Sequence, residues 1–435
     1  MKSVWMNETK MPEFEPLRGE RKTDVLIIGG GLAGILCAYQ LEKAGVDYAL
    51  IEADRLCRGV TGFTTAKITA QHGLIYEKLL RTFGSERAKM YLDANLAAVE
   101  QYRKLCSNIK CDFEEKDAYV YTTGPLYAIE DEIMALDELG YRADFARKLP
   151  LPVPITGAVE FPKQAQFNPL KFAAAIVPEL NIYEQTKAIA YEGDHTVLTN
   201  LGRIRAEEII AATHFPIFNK HGSYFLKLYQ HRSYVIALEN AANVGGMYVD
   251  ENKKGLSFRN YGNLLLLGGG SHRTGKQGGN WSELTQFAKK HYPQARETGR
   301  WATQDCMSLD GVPYIGQYSK NTPELYVATG FNKWGITSSM AASMILTDLV
   351  QGKDNAWAAV FSPSRSILRP QLAANAVEAT VNLLMPTKPR CPHMGCALKW
   401  NASEHTWDCS CHGSRFTETG KVINNPANDD LKREK

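Results

Sequence analysis

The chain has no long apolar run. Its most continuous ones, such as Leu264 to Leu267, are strand-length and fall far short of the ~20 residues that cross a bilayer. The leading segment, Met1 to Arg21, has neither the apolar centre of a secretory signal nor a twin-arginine pair. It reads as an extended arm over residues 1–22, and the chain reads as cytoplasmic. An excess of one charge is lacking too. The formal net charge is +3 over 435 residues, which excludes a clustered basic face for nucleic acid. Short basic runs such as Asn252-Lys253-Lys254 read as solvated surface. Internal repeats and low-complexity tracts are absent, so a solenoid or a disordered chain is excluded. At this length two or three domains are expected.

Cysteine is sparse along most of the chain. Cys37, Cys57, Cys106, Cys111 and Cys306 are scattered, as free buried thiols are in a reducing compartment. The other four fall between Cys391 and Cys411, and a tight cluster of that kind reads as a metal site before a disulfide framework.

What the sequence does contain begins at Thr23. An apolar strand to Ile28 runs into glycines, then into a helical pattern from about Leu32 to Lys43. Gly45 closes the helix and Tyr48 to Glu52 forms a second strand. Gly29, Gly31 and Gly34 give G-x-G-x-x-G at the turn. The first glycine permits the tight turn, the second lets a pyrophosphate approach the backbone, and the third lets helix and strand pack closely. The helix N-terminus, with Leu32 and Ala33, presents N–H groups to the phosphates. Glu52, at the end of the second strand, can accept hydrogen bonds from ribose hydroxyls and would repel a 2′-phosphate. These features predict a bound dinucleotide and do not choose between FAD and NAD. A second glycine cluster, Gly268-Gly269-Gly270, has Arg273 at its third fingerprint position. It reads as a turn near the substrate region.

Helices are expected over about Ile75 to Cys106, Ala128 to Leu139, Thr337 to Val350 and Arg365 to Met385. Strands are expected over Lys187 to Tyr191, Thr196 to Thr199, Glu208 to Ala212, His231 to Leu238, Leu264 to Leu267 and Tyr326 to Ala328.

Three segments resemble the D-amino-acid oxidase/glycine oxidase superfamily: the N-terminal unit, Gly59-Val60-Thr61-Gly62-Phe63-Thr64-Thr65-Ala66-Lys67, and Ala328-Thr329-Gly330-Phe331-Asn332-Lys333-Trp334-Gly335-Ile336-Thr337. The resemblance covers about Thr23 to Asn355 and implies FAD. It implies that Thr61, Thr64, Thr65 and Ala66 line the flavin and pyrophosphate, and that the backbone at Ala188 meets the adenine. Gly330, Trp334, Gly335, Ile336 and Thr337 would lie at the flavin, with N–H groups facing the edge where reduced flavin gathers negative charge. Thr337 and Ser338 are expected to cap the helix. Some relatives bind flavin through cysteine, but the spacing of Cys306 does not match. The fold class implied is α/β: a Rossmann-like FAD-binding domain with a mixed-sheet α+β substrate domain. The FAD domain would take residues 23–75, 150–215 and 305–355, and the substrate domain 76–149 and 216–304. In such a pocket Arg232 and Tyr234, which share a face of one strand by alternation, are candidates to bind a substrate carboxylate. His272 and Lys333 are further candidates to close it. Each also has a plain reading as surface or interdomain polarity.

The cysteine cluster reads Cys391-Pro392-His393 and Cys409-Ser410-Cys411-His412. Two thiolates and two imidazoles suit tetrahedral zinc. They equally suit a Rieske [2Fe–2S] cluster, where both cysteines bind one iron and both histidines the other. The loops CPHMGC and CSCHGS resemble the Rieske loops of the cytochrome bc type. That resemblance implies Cys391, His393, Cys409 and His412 as ligands and a disulfide between Cys396 and Cys411. It also implies that the Ser414 hydroxyl bonds a bridging sulfide. Phe416 stands where the type carries a tyrosine, so a reduction potential below the bc-type proteins is expected. Lys421 to Pro426 resembles the loop over the cluster, with Asn425 where glycine is common. The strands usual before the first loop are missing. A connector (356–386) leads directly into a Rieske-like β/loop module (387–435), and roughly 45 residues must hold the cluster, few enough to need a staple.

The sequence therefore predicts an FAD-dependent dehydrogenase that oxidises an amine or amino acid, passes electrons through the cluster and delivers them to an unknown one-electron acceptor. The alternatives are an oxidase that uses O₂ beside a vestigial cluster site, and a redox-sensing flavoprotein without turnover.

Overall fold

The apolar run at Thr23 is the inner half of a longer strand, Gly19–Ile28, at the centre of a mixed sheet whose central strands are parallel. This is a computed structural model, and it describes residues 2–218, 221–252 and 255–432. Lys253 and Lys254 of the basic run lie outside the described residues. Strand order in the first sheet is Tyr314–Ser319, Thr322–Thr329, Gly202–Ala211, Gly19–Ile28, Tyr48–Ile51 and Ile182–Tyr183. Val25, Leu26, Ile27 and Ile28 are all buried, as a strand covered on both faces requires. The helices Leu32–Ala44 and Gly335–Val350 pack together on one face.

The second sheet has nine strands, with Arg296–Ser308, Leu228–Glu239 and Leu264–Arg273 adjacent in that order. Its membership differs from the expected partition. Lys67–Ile68 and Gly157–Gln166 lie in this sheet, although both fall in ranges expected for the FAD domain. The Gly268-Gly269-Gly270 run is no turn. It continues the strand, and Gly270, at φ +63°, marks the irregular register between Arg232 and Tyr234 on the neighbour. A side chain at Gly268 would collide with the Ser257 hydroxyl, and one at Gly269 with Leu256.

The Leu228–Glu239 strand has two different faces. Val235 and Ala237 join the core shared with the first sheet, together with Trp301 of the next strand. Tyr234, Ile236 and Leu238 pack beneath the Trp281–His291 helix instead. The alternation is regular. What covers each face is a matter of tertiary structure.

The N-terminal arm is not simply extended. Ser3 caps a short helix, Val4–Glu8, and Trp5 is fully buried. Its indole donates to the Thr64 carbonyl at 2.8 Å.

At the other end, the Pro370–Leu384 helix leads into a four-stranded antiparallel sheet, Leu398–Asn401, Thr406–Cys409, Arg415–Thr417 and Val422–Asn424. The base expected to be missing is replaced by the rest of the chain. Ala397 bonds the Asn382 carbonyl of the helix. Arg273 donates to the carbonyls of Ser410 and Cys411, both at 3.0 Å. Ser410 donates to the carbonyl of Gly275.

Candidate functional site

A cavity of about 1810 Å³ runs from the glycine-rich turn to the second sheet and along the C-terminal module. Thirteen of the sixteen candidate cofactor residues line it: Gly29, Gly31, Leu32, Ala33, Glu52, Thr61, Thr64, Thr65, Ala188, Gly330, Trp334, Gly335 and Ile336. The other three act beneath the surface. A Cβ on Gly34 would sit 2.0 Å from the Gly29 carbonyl oxygen, so this glycine lets the helix lie on the strand. Ala66, at φ +55°, has its carbonyl bound by the Arg259 guanidinium at 2.7 Å. Thr337 does not cap its helix. Its hydroxyl donates to the Thr69 carbonyl at 2.8 Å and receives the Thr69 N–H at 3.1 Å. Trp334 occupies the cap position, and no side chain caps the helix there.

The turn fits a dinucleotide. Gly29 has φ +115°, and a Cβ there would meet the Ala212 carbonyl at 2.6 Å. A Cβ on Gly31 meets nothing nearer than Thr61 Oγ1 at 3.6 Å, so its open side faces the cavity. The N-cap Gly31 carries no capping side chain and the Leu32 N–H donates to Thr61 Oγ1 at 3.0 Å, which leaves the other N–H groups of the first turn and the helix dipole for phosphate. Glu52 accepts from the Gly30 N–H at 2.6 Å and the Asp54 N–H at 2.9 Å, which fixes its carboxylate at the strand end. The loop over residues 59–67 is held from three sides. Trp5 bonds Thr64, Arg259 bonds Thr65 and Ala66, and Trp301 donates to the Phe63 carbonyl at 2.9 Å. Trp334 stacks on His72 with ring centroids 5.1 Å apart. Burial holds the His72 imidazole neutral, its pKa down at about 3. Cys306 is buried beside the Thr329 hydroxyl, and burial pushes its thiol up to about 12.

The candidate catalytic residues are placed differently from expectation. Arg232 and Tyr234 share a face, but that face meets the C-terminal module. Arg232 forms a buried two-point ion pair with Glu404, and the Tyr234 hydroxyl donates to the same carboxylate at 3.1 Å. Glu404 also binds Arg415, which in turn binds Asp408 at 2.9 Å. Burial alone would raise the Glu404 carboxyl, but Arg232 and Arg415 hold it below the ordinary range. His272 stacks on Tyr234 on this same side and does not line the cavity. Arg232 and Tyr234 border the cavity, but both are already engaged by the Glu404 carboxylate, and His272 stands behind them. Lys333 does line the cavity, with Nζ 2.6 Å from the Ser271 hydroxyl.

The four candidate metal ligands come together in two pairs, Cys391 with Cys409 and His393 with His412. The Cys391 and Cys409 thiols hydrogen-bond each other, and the backbone N–H groups of His393 and Met394 also lower Cys391. The His393 and His412 rings lie at right angles with centroids 5.0 Å apart. Burial keeps both imidazoles neutral, at about 4 and about 3, the form that ligates a metal. His412 Nδ1 is buried without a hydrogen-bond partner, while the same ring bonds the Phe225 backbone. An orphaned nitrogen on an oriented ring is what a metal ligand leaves behind. Cys396 and Cys411 form a disulfide that joins the two loops. Ser414 both lowers Cys391 and accepts the Ala427 N–H at 3.0 Å. Phe416 is wholly buried in the same small core.

Sequence reasoning missed the joint between the two halves. Gln230 donates to the carbonyls of His412 at 2.9 Å and Asn425 at 3.1 Å. Its own carbonyl oxygen receives Gln304 and contacts His214. Asn425 donates to the carbonyls of Thr213 and Phe215, both at 2.7 Å. The Phe215 ring meets both ligand histidines edge-on, 6.4 Å from His393 and 6.3 Å from His412. No sequence signal singled them out, because Gln230 and Gln304 stand in strands that carry several other polar residues.

Comparison with known proteins agrees with this geometry. Residues 24–349 match the family model described as FAD dependent oxidoreductase, and residues 379–434 match that of the Rieske [2Fe-2S] domain. The chain is 34% identical to the Rieske 2Fe-2S iron-sulfur protein YhfW of Bacillus subtilis (strain 168), over 99% of this chain and 97% of that protein. Among solved structures, glycine oxidase from Geobacillus kaustophilus superposes with a TM-score of 0.66 at 21% identity, covering 80% of this chain and 99% of that one. L-proline dehydrogenase from P. horikoshii gives 0.68 at 16%, covering 80% and 98%. These two likenesses concern the fold. With three quarters of its length matched by one model and its C-terminus by the other, the chain belongs to the FAD dependent oxidoreductase family and carries a C-terminal Rieske [2Fe-2S] domain.

Proposed function

We propose that this protein is a dehydrogenase that oxidises a carbon–nitrogen bond of an amine or amino acid and releases the electrons singly through its Rieske domain. Bound FAD supplies a two-electron hydride acceptor and the cluster a one-electron relay. Similar folds include a glycine oxidase and an L-proline dehydrogenase, so the fold does not choose between them. The contact that favours the dehydrogenase is that of His393 and His412 with Phe215. The ligand histidines are turned inward, against the strand end that returns to the cofactor cavity, and Asn425 and Gln230 fix that seam. A vestigial site would not need its ligand face buried against the flavin half.

In this reading the turn at Gly29 to Gly34 and Glu52 hold the dinucleotide. The uncapped helix at Gly335 faces developing negative charge, and the Thr337–Thr69 bonds keep that turn rigid. Lys333 lies on the substrate side.

Anaerobic spectroscopy tests the reading. Addition of a substrate amine should bleach the flavin bands, and the electron paramagnetic resonance signal of a reduced Rieske cluster should follow. In Cys409→Ser the flavin should still bleach while transfer to a one-electron dye is lost. Undiminished dye reduction in that variant would refute the relay.

A further inference from the structure

One polar wall of the cavity holds two hydroxyls, Ser233 and Thr303, that the fold leaves without partners. Where Leu228–Glu239 pairs with Arg296–Ser308, Ser233 lies opposite Thr303 and His231 opposite Asp305. Alternation puts Thr303 and Asp305 on the same face as Trp301, whose bond to the Phe63 carbonyl fixes that face as the one turned toward the 59–67 loop. All four residues line the cavity.

The hydrogen bonding of Ser233, Thr303 and Asp305 is incomplete. The Ser233 and Thr303 hydroxyls are buried with no partner. Asp305 is 8% exposed, and no described residue donates a hydrogen bond to its carboxylate. Burial lifts its carboxyl above the ordinary range, and the positive groups that oppose this, Lys333 and Arg232, act only through space. Lys333 is hydrogen-bonded to Ser271 and Arg232 to Glu404. Buried polar groups are nearly always paired, and a buried carboxylate without a partner is costly. Two partnerless hydroxyls beside a carboxylate that no described residue donates to call for a donor from outside the chain. An ammonium group has three N–H donors and the complementary charge. The nearby guanidinium groups of Arg232 and Arg415 are already engaged by Glu404 and Asp408, so they do not serve a substrate carboxylate.

We infer that Asp305, flanked by the hydroxyls of Ser233 and Thr303, is the subsite for the ammonium group of a cationic amine, so that recognition runs through nitrogen and not through an arginine–carboxylate clamp. This deepens the amine-oxidation reading, on which the word substrate rests.

Calorimetric titration of the full-length FAD-loaded protein tests it, with n-butylammonium and butyrate as matched probes. The cation should bind and butyrate should not compete. Asp305→Asn should weaken the cation by roughly ten- to a hundredfold, the worth of one charge-assisted hydrogen bond, and Thr303→Val by a smaller factor. Stability gives a second readout. Asp305→Asn should raise Tm because it removes a desolvated charge, and butylammonium should raise the Tm of the wild type but not of this variant. Preferential butyrate binding, or equal cation binding by wild type and Asp305→Asn, overturns the inference. If Asp305→Asn does not fold, unchanged cation affinity in Thr303→Val and Ser233→Ala overturns it instead. Cation binding that depends on Asp305, without flavin bleaching by any amine, upholds the subsite and refutes the oxidation reading.

Discussion

Glycines at two positions of one turn do different work, and substitution separates them. Gly34→Ala puts a Cβ 2.0 Å from the Gly29 carbonyl, so the helix must lift from its strand at a cost of about 1–3 kcal/mol. Gly31→Ala meets nothing nearer than Thr61 Oγ1 at 3.6 Å, an ordinary contact. Its Tm without flavin should match the wild type, while its flavin-to-protein absorbance ratio after purification falls. Glu132 is a residue whose charge the fold resists. Burial lifts its carboxyl to about 7, although its oxygens receive the Tyr76 and Glu77 N–H groups. The folded state therefore holds a proton that the unfolded chain releases near 4.5. This stabilising contribution is complete at low pH and is lost as pH rises toward about 7. Glu132→Gln has no such titration, so its Tm relative to wild type should climb across that window. A parallel pair of Tm–pH curves would contradict this. The glycine fingerprint and the cluster ligands were readable from sequence because each depends on neighbours a few residues away. The burial of Glu132 against a turn 55 residues earlier was not.

At the scale of the element, the Leu228–Glu239 strand shows where reading from sequence stopped. Its alternation was plain and its length nearly right, yet alternation does not say which face meets which neighbour. Arg232 and Tyr234 are bound by Glu404, 170 or more residues away along the chain, whereas His231 and Ser233 line the cavity from the opposite face of the strand. The same limit explains the glycine run at 268–270. Glycine signals a turn unless two strands and a helix crowd it, and only the assembled sheet shows the crowding. Gln230 is the strand's link to the cluster loops. Gln230→Leu would leave the carbonyls of His412 and Asn425 without their donor at a cost of ~1–3 kcal/mol. Hydrogen exchange should speed up around residues 409–425 in this variant, while the parallel sheet keeps its protection. Equal acceleration in both regions would mean that the joint supports the whole fold and not the module alone.

At the scale of the whole molecule, a domain too small to stand alone borrows a partner. The C-terminal sheet contributes one modest core around Cys391, Cys396, Leu398, Cys409, Cys411 and Phe416. Its remaining support is the disulfide and a polar seam against the oxidoreductase half. The buried group Arg232–Glu404–Arg415–Asp408 is the charged part of that seam. A buried ion pair contributes little net stability, but removal of one partner leaves the other charged and unpaired, at a cost of about 3–5 kcal/mol. Arg415 retains Asp408 when Glu404 is neutralised, whereas Arg232 keeps no carboxylate. Glu404→Gln should therefore destabilise the protein strongly, and the double variant Arg232→Met/Glu404→Gln should recover most of the loss. Chemical denaturation of the four proteins in the cycle measures the coupling. Recovery in the double variant would show that the seam matters chiefly because each charge needs its partner. An additive result would show that Arg232 and Glu404 act through separate contacts, and the seam would then have to hold through Gln230, Arg273 and Asn425.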